Sequence, residues 1–213
     1  MMTFGGYNMI EFMAKGGVVM WPILMCSVLA LAIFLERLVR FSRMRSRGAG
    51  LSEKVIRLLK AGDVKAAEEK ALDSGSSMGR VLAQAIRFKD RDRETLETVV
   101  MHAAEEEVRN MSSYLQALAT IGNIAPLLGL LGTVLGMIKA FMVIQQMGGK
   151  VNAAVLAGGI WEAMLTTAFG LAVALPTVVA HSYLLARVDK YETKLNDGAV
   201  KFITELNHTD GSH

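Results

Sequence analysis

Few residues in this chain could do chemistry, and those few stand in apolar surroundings. Thr133 lies in TIGNIAPLLGLLGTVLGMIKAFMVI (120–144), Thr167 lies in AMLTTAFGLAVALPTVVAHSYLLA (163–186), and Glu162 comes just before the second run. A hydroxyl in such a run either bonds back to a carbonyl one turn earlier or holds water along an ion path. A carboxylate at the start of such a helix either complements the helix dipole or is a functional group, because an ionisable side chain within a membrane is costly to keep. At about 100° per residue, Gly122, Pro126, Gly129, Thr133, Gly136 and Ala140 share one narrow face that is nearly bare of side chains. Gly132 and Gly136 form a small-xxx-small pair, and such faces let membrane helices approach closely. Thr167, Gly170, Ala174, Thr177 and His181 make a second small, partly polar face. Pro176 removes one backbone donor from that helix and frees a carbonyl within it.

Other chemistry is not supported. Cys26, the one cysteine, has no partner for a disulfide or a CxxC site and reads as a small apolar residue. His181 and Glu162 could suggest a metal or protease site, but 19 residues of helix separate them by about 28 Å. Lys139, the only charge in its run, can snorkel to a membrane surface. There is no nucleotide loop, metal box or nucleophile constellation, so neither an enzyme nor a bound cofactor is expected. A net charge of +3 without a basic, aromatic-rich stripe argues against nucleic acid.

The elements that must carry these residues follow from where charge is missing. The chain is 52% hydrophobic with mean hydropathy +0.35, a modest excess that is concentrated in three runs. A bilayer core takes about 20 helical residues, and 17–35, 120–144 and 163–186 each suffice. The first run follows Glu11 as well as Lys15 and ends in Glu36-Arg37 rather than at a small-residue cleavage site. It therefore reads as a retained span and not as a signal peptide, with MIEFMA (9–14) before it at the interface. Sixteen Lys/Arg fall in 36–119 and four in 186–213, with only Lys15, Lys139 and Lys150 elsewhere. The positive-inside rule then places the N-terminus outside and the C-terminus in the cytoplasm. The expected layout is a periplasmic segment 1–16, span 17–35, cytoplasmic helical domain 36–119, span 120–144, periplasmic loop 145–162, span 163–186, and a cytoplasmic helix and tail 187–213.

Within 36–119, Arg37, Arg40, Arg43, Arg45 and Arg47 form a cluster suited to anionic lipid headgroups. Three short helices follow: LSEKVIRLLKAG capped by Ser52, VKAAEEKALDSG capped by Asp63 and stopped at Gly75, and MGRVLAQAIRF. From Arg93 no helix breaker intervenes, which predicts one continuous helix from Arg93 to Ile144. The third span is expected to continue through RVDKYETKLNDGAVKFITEL. Long extensions must bury their apolar stripes against something, which implies an oligomer.

APLLGLLGTVLGMIKAF (125–141) followed by GGIWEAMLTTAFGLAVALPTVV (158–179) resembles the MotA/TolQ/ExbB proton-channel family. Three spans with a large cytoplasmic segment fit the ExbB/TolQ branch, since MotA-type stators are longer and have four. The resemblance implies an all-α membrane protein that forms a pentamer around a dimer of an ExbD/TolR-like single-span partner. Protons are the coupling ion, taken up and released by a partner aspartate, and their flow energises a TonB- or TolA-like protein. It also implies that Thr133 of the GTV motif, and Glu162 and Thr167 of the EA-x-x-x-T motif, line the proton pathway. Gly129, Gly132, Gly136, Pro126 and Pro176 would serve helix packing. The chain departs from the family at Leu135, where many members have tryptophan, and at His181-Ser182, where Tyr-Asn is frequent. Two other readings compete: a stand-alone ion channel or transporter, disfavoured by the lack of an inverted repeat, and a purely structural scaffold whose threonines only pack.

Overall fold

The computed structural model describes residues 17–47, 50–146 and 153–210. Among them are seven helices and no strand: α1 (Met20–Arg47), α2 (Leu51–Lys60), α3 (Val64–Asp73), α4 (Ser77–Arg87), α5 (Arg93–Ser112), α6 (Leu115–Gln146) and α7 (Ala153–Asp210). Three stretches, within Met20–Ser42, Arg93–Gln146 and Leu156–Leu206, are long and apolar enough to cross a membrane. The fold is an all-α membrane protein with three such helices. The MIEFMA segment lies outside the described residues.

The chain divides into two compact units, Met1–Leu35 with Tyr114–Ser182, and Glu36–Ser113 with Tyr183–His213. In the first unit α6 and the earlier part of α7 run antiparallel and touch through small residues. α7 begins at Ala153, so residues 153–162 are helical and not part of a loop. The alanine-rich AAVLAGGIW favours helix despite its glycines.

The second unit is a conventional apolar core. Three of its helices, α3, α4 and α5, start where side chains can satisfy the first free N–H groups. Asp63 accepts from Ala66 N at 3.0 Å, Ser76 from Gly79 N at 3.0 Å, and Asp92 from Thr95 N at 2.9 Å. Each such cap stabilises by about 1 kcal/mol. Ser52 does not cap α2. Gly50 holds that place with φ 70°, and Ser52 falls inside the first turn. Along α7, Leu184, Val188, Leu195, Ala199 and Phe202 are buried at spacings of three, four and seven, the stripe expected of an amphipathic helix.

One carboxylate is buried with this core. Glu107 lies on the stripe that buries Leu96, Val100, Ala104 and Met111 of α5. Arg80 of α4 donates to both of its oxygens at 2.5 Å. Burial raises the Glu107 pKa, but hydrogen bonds from Arg80 and Ser77, with the nearby Arg80 and Arg40 charges, outweigh it and hold the carboxyl below its usual range.

The continuous helix expected from Arg93 to Ile144 is broken. α5 ends at Ser112, Ser113 is extended with ψ 143°, and Tyr114 adopts φ 66° before α6 begins. A left-handed non-glycine residue costs roughly 1–2 kcal/mol, so something must offset it. Ser112 and Ser113 hydroxyls donate to the Arg109 and Asn110 carbonyls at 3.1 and 2.9 Å. Arg37 donates to Asn110 O at 3.4 Å and to Ser113 Oγ at 2.7 Å, with Glu36 Oε2 3.0 Å from its Nε. Two hydroxyls and the Arg37 cation thus complete the C-terminus of α5, where helix carbonyls lack partners. This also corrects the reading of Arg37 as a headgroup anchor: its side chain is fully buried.

Candidate functional site

The threonines and the glutamate singled out by sequence lie along one seam, where α6 meets α7. The buried line on α6 runs through Gly122, Ala125, Gly129, Gly132, Gly136 and Ala140. A Cβ on Gly136 would fall 2.8 Å from Ala163 Cβ, one on Gly129 3.0 Å from Thr167 Cα, and one on Gly132 2.5 Å from Thr166 Oγ1. These glycines let two backbones meet almost directly. Gly129, Gly132 and Gly136 each lie against α7 of the same chain.

The line differs in detail from the face read off the sequence. Ala125 and Gly132 are buried in it, whereas Pro126 and Thr133 stand half-buried at its margin. Both α6 and α7 continue through their prolines, and Pro176 is exposed.

The three polar positions behave differently. Thr167, half-buried, donates its hydroxyl across the seam to Gly129 O at 2.9 Å. Thr133 bonds back along its own helix to Leu130 O at 2.6 Å. Glu162, half-buried at the end of the seam towards the start of α7, is reached by Lys139 of α6, with Nζ 3.2 Å from Oε1. Lys139 therefore pairs with Glu162 as well as keeping its side chain largely exposed. Thr177 is buried and bonds back to Val173 O at 2.7 Å. His181, further along the same helix, is half-buried.

Sequence reasoning passed over Thr166. It is buried, fills the gap left by Gly132, and donates to Ala163 O at 2.7 Å. Its position in the Thr-Thr pair gave no sign of which threonine would face the glycines. Among the described residues, no group of three or more His, Cys, Asp or Glu could hold a metal ion, and Cys26 is a half-buried free thiol.

This arrangement places hydroxyls and one carboxylate along a close-packed seam in an apolar helix pair. Comparison with known proteins gives it a setting. The profile of the MotA/TolQ/ExbB proton channel family matches residues 73–197, which include all of these positions. Biopolymer transport protein exbB1 of Vibrio cholerae is 31% identical over 182 residues, covering 84% of this chain and 80% of that one. Biopolymer transport protein ExbB of Salmonella typhimurium is 30% identical over 214 residues, covering 94% and 84%. Tol-Pal system protein TolQ of Haemophilus influenzae is 35% identical over 105 residues, about half of each chain. On this footing the chain belongs to the MotA/TolQ/ExbB proton channel family, in its ExbB/TolQ branch.

Proposed function

We propose that the chain is the scaffold subunit of a proton-driven motor in the bacterial inner membrane. It assembles as a homo-oligomer, with five subunits favoured by the family resemblance, around a dimer of an ExbD/TolR-like single-span protein. The N-terminus is periplasmic and the C-terminus cytoplasmic, as the distribution of lysine and arginine supports. Helices α2–α5 and the end of α7 form the cytoplasmic part. Proton flow along the lumen drives a TonB- or TolA-like transducer. One charge crossing 100 mV releases about 2.3 kcal/mol, so useful work takes several protons.

The observation that carries this reading is the seam itself. Thr133, Thr167 and Glu162 lie along the two apolar helices that the family profile covers. Thr133 and Thr167 are half-buried in the single chain, so each keeps surface that a lumen or a partner helix can use. The bond from Thr133 to Leu130 O favours a second reading, in which the threonines only pack.

Thr133→Val and Thr167→Val separate the two. Valine keeps the shape and removes the donor and acceptor. On a proton path, each lost hydroxyl strands a water or a partner carboxylate at about 1–3 kcal/mol. The double variant should lose proton-coupled transport while oligomer and partner binding survive. Thr177→Val, matched to no family position, is the control and should retain activity. Equal tolerance at all three positions, or collapse of the oligomer, would leave the threonines as packing residues.

A further inference from the structure

Three segments converge on one carboxylate at the end of the seam. Lys139 on α6 holds Glu162 on α7 through Nζ and Oε1, 3.2 Å apart. Gly17, just before α1, closes another side. Its φ is 69°, and a Cβ there would lie 2.7 Å from the same Glu162 oxygen and 3.7 Å from Lys139 Nζ. A side chain at Gly17 would displace the carboxylate from this position. Lys139 is long enough to extend into water, and 60% of its side chain is exposed, yet its ammonium lies against the carboxylate.

We propose that Lys139 determines which cations Glu162 accepts. Its ammonium takes the place beside Oε1 that a metal cation would occupy and so keeps metal ions off the carboxylate. This rests on the reading of Glu162 as the mouth of the proton path.

The chemistry of the competing ions supports the division. A proton needs one oxygen lone pair and no coordination shell. Calcium needs six to eight oxygen ligands at about 2.3–2.6 Å. The ammonium on one side and the Gly17 backbone on another leave Oε1 little room for such a shell. A second cation beside the first would also be repelled, and more strongly at a membrane edge than in bulk water. Rings of bare carboxylates are how cation channels attract metal ions. In an oligomer, Glu162 would form such a ring, and one lysine per copy cancels its charge.

Isothermal titration of the purified full-length chain in nanodiscs with calcium chloride tests this. Lys139→Met and Lys139→Gln should bind calcium at least ten-fold more tightly than the wild type. Lys139→Arg, which keeps a cation in place, should match the wild type. Lys139→Met combined with Glu162→Gln should lose the gain. Calcium binding by the wild type as tight as by Lys139→Met would overturn the proposal, as would a gain that survives loss of Glu162. Proton-coupled transport by Glu162→Gln alone tests the underlying reading. Full activity there removes Glu162 from the path, whatever calcium does. Lost activity there, with no calcium gain in Lys139→Met, removes only the role of Lys139.

Discussion

Glu107 is the residue at which the core of the second unit depends most directly on charge. Its side chain is 10% exposed, against 50% for its partner Arg80. Its folded-state pKa lies below the unfolded value, which is about 4.3. The stabilisation is therefore complete above that value and is lost as pH falls through the lower folded-state pKa. Acidification below about pH 4 should lower the unfolding temperature, and Glu107→Gln should flatten that part of the pH profile. Arg80→Met, which leaves the carboxylate unpaired, should cost about 1–3 kcal/mol in thermal unfolding. That is less than for a fully buried pair, because half of Arg80 is screened by solvent. Glu107 was findable in sequence: it is the one acid of Glu105-Glu106-Glu107 that falls in step with Leu96, Val100, Ala104 and Met111. The buried role of Arg37 was not, since its partners Asn110 and Ser113 are more than 70 residues away.

Between helices, the decisive contact is the α6–α7 seam. Gly129 faces the Thr167 backbone and not a flexible side chain, so an added side chain there has nowhere to go. Gly129→Leu should destabilise the protein by about 1–3 kcal/mol or more and abolish coupled activity, as thermal unfolding and transport assays would register. Gly158→Leu is the matched control. A Cβ there meets nothing within 4 Å, and stability should hold. The three apolar helices, the Asp63 cap and the reach of α7 past its span were legible, because length, periodicity and capping chemistry are local signals. The break at Ser113–Tyr114 was not. Neither serine nor tyrosine breaks a helix by itself, and the cation that completes the α5 terminus comes from α1. The displacement of the buried line from Thr133 to Gly132 was also hidden. Periodicity fixes which residues share a face but only approximately where its centre lies.

For the molecule as a whole, much apolar surface remains exposed in the single chain. In the second unit Val200 is 59% exposed, Leu72 46% and Met101 42%, positions that no bilayer would cover if that unit is cytoplasmic. The chain should therefore be a homo-oligomer in mild detergent, which native mass spectrometry checks; the expectation of five copies rests on the family resemblance alone. A stable monomer would count against it. The glycine seam also bears on how this chain can change by mutation. Every substitution at Gly129, Gly132 or Gly136 adds volume, because no amino acid is smaller. Drift at these sites runs in one direction only, and none of them can shrink to relieve a neighbour that has grown. Room can be restored only from the opposite helix. Opposite Gly136 that residue is Ala163, whose Cβ is the nearest atom to the missing side chain. The two helices thus inherit their fit jointly: a lineage that gains a methyl group on one side must surrender one on the other.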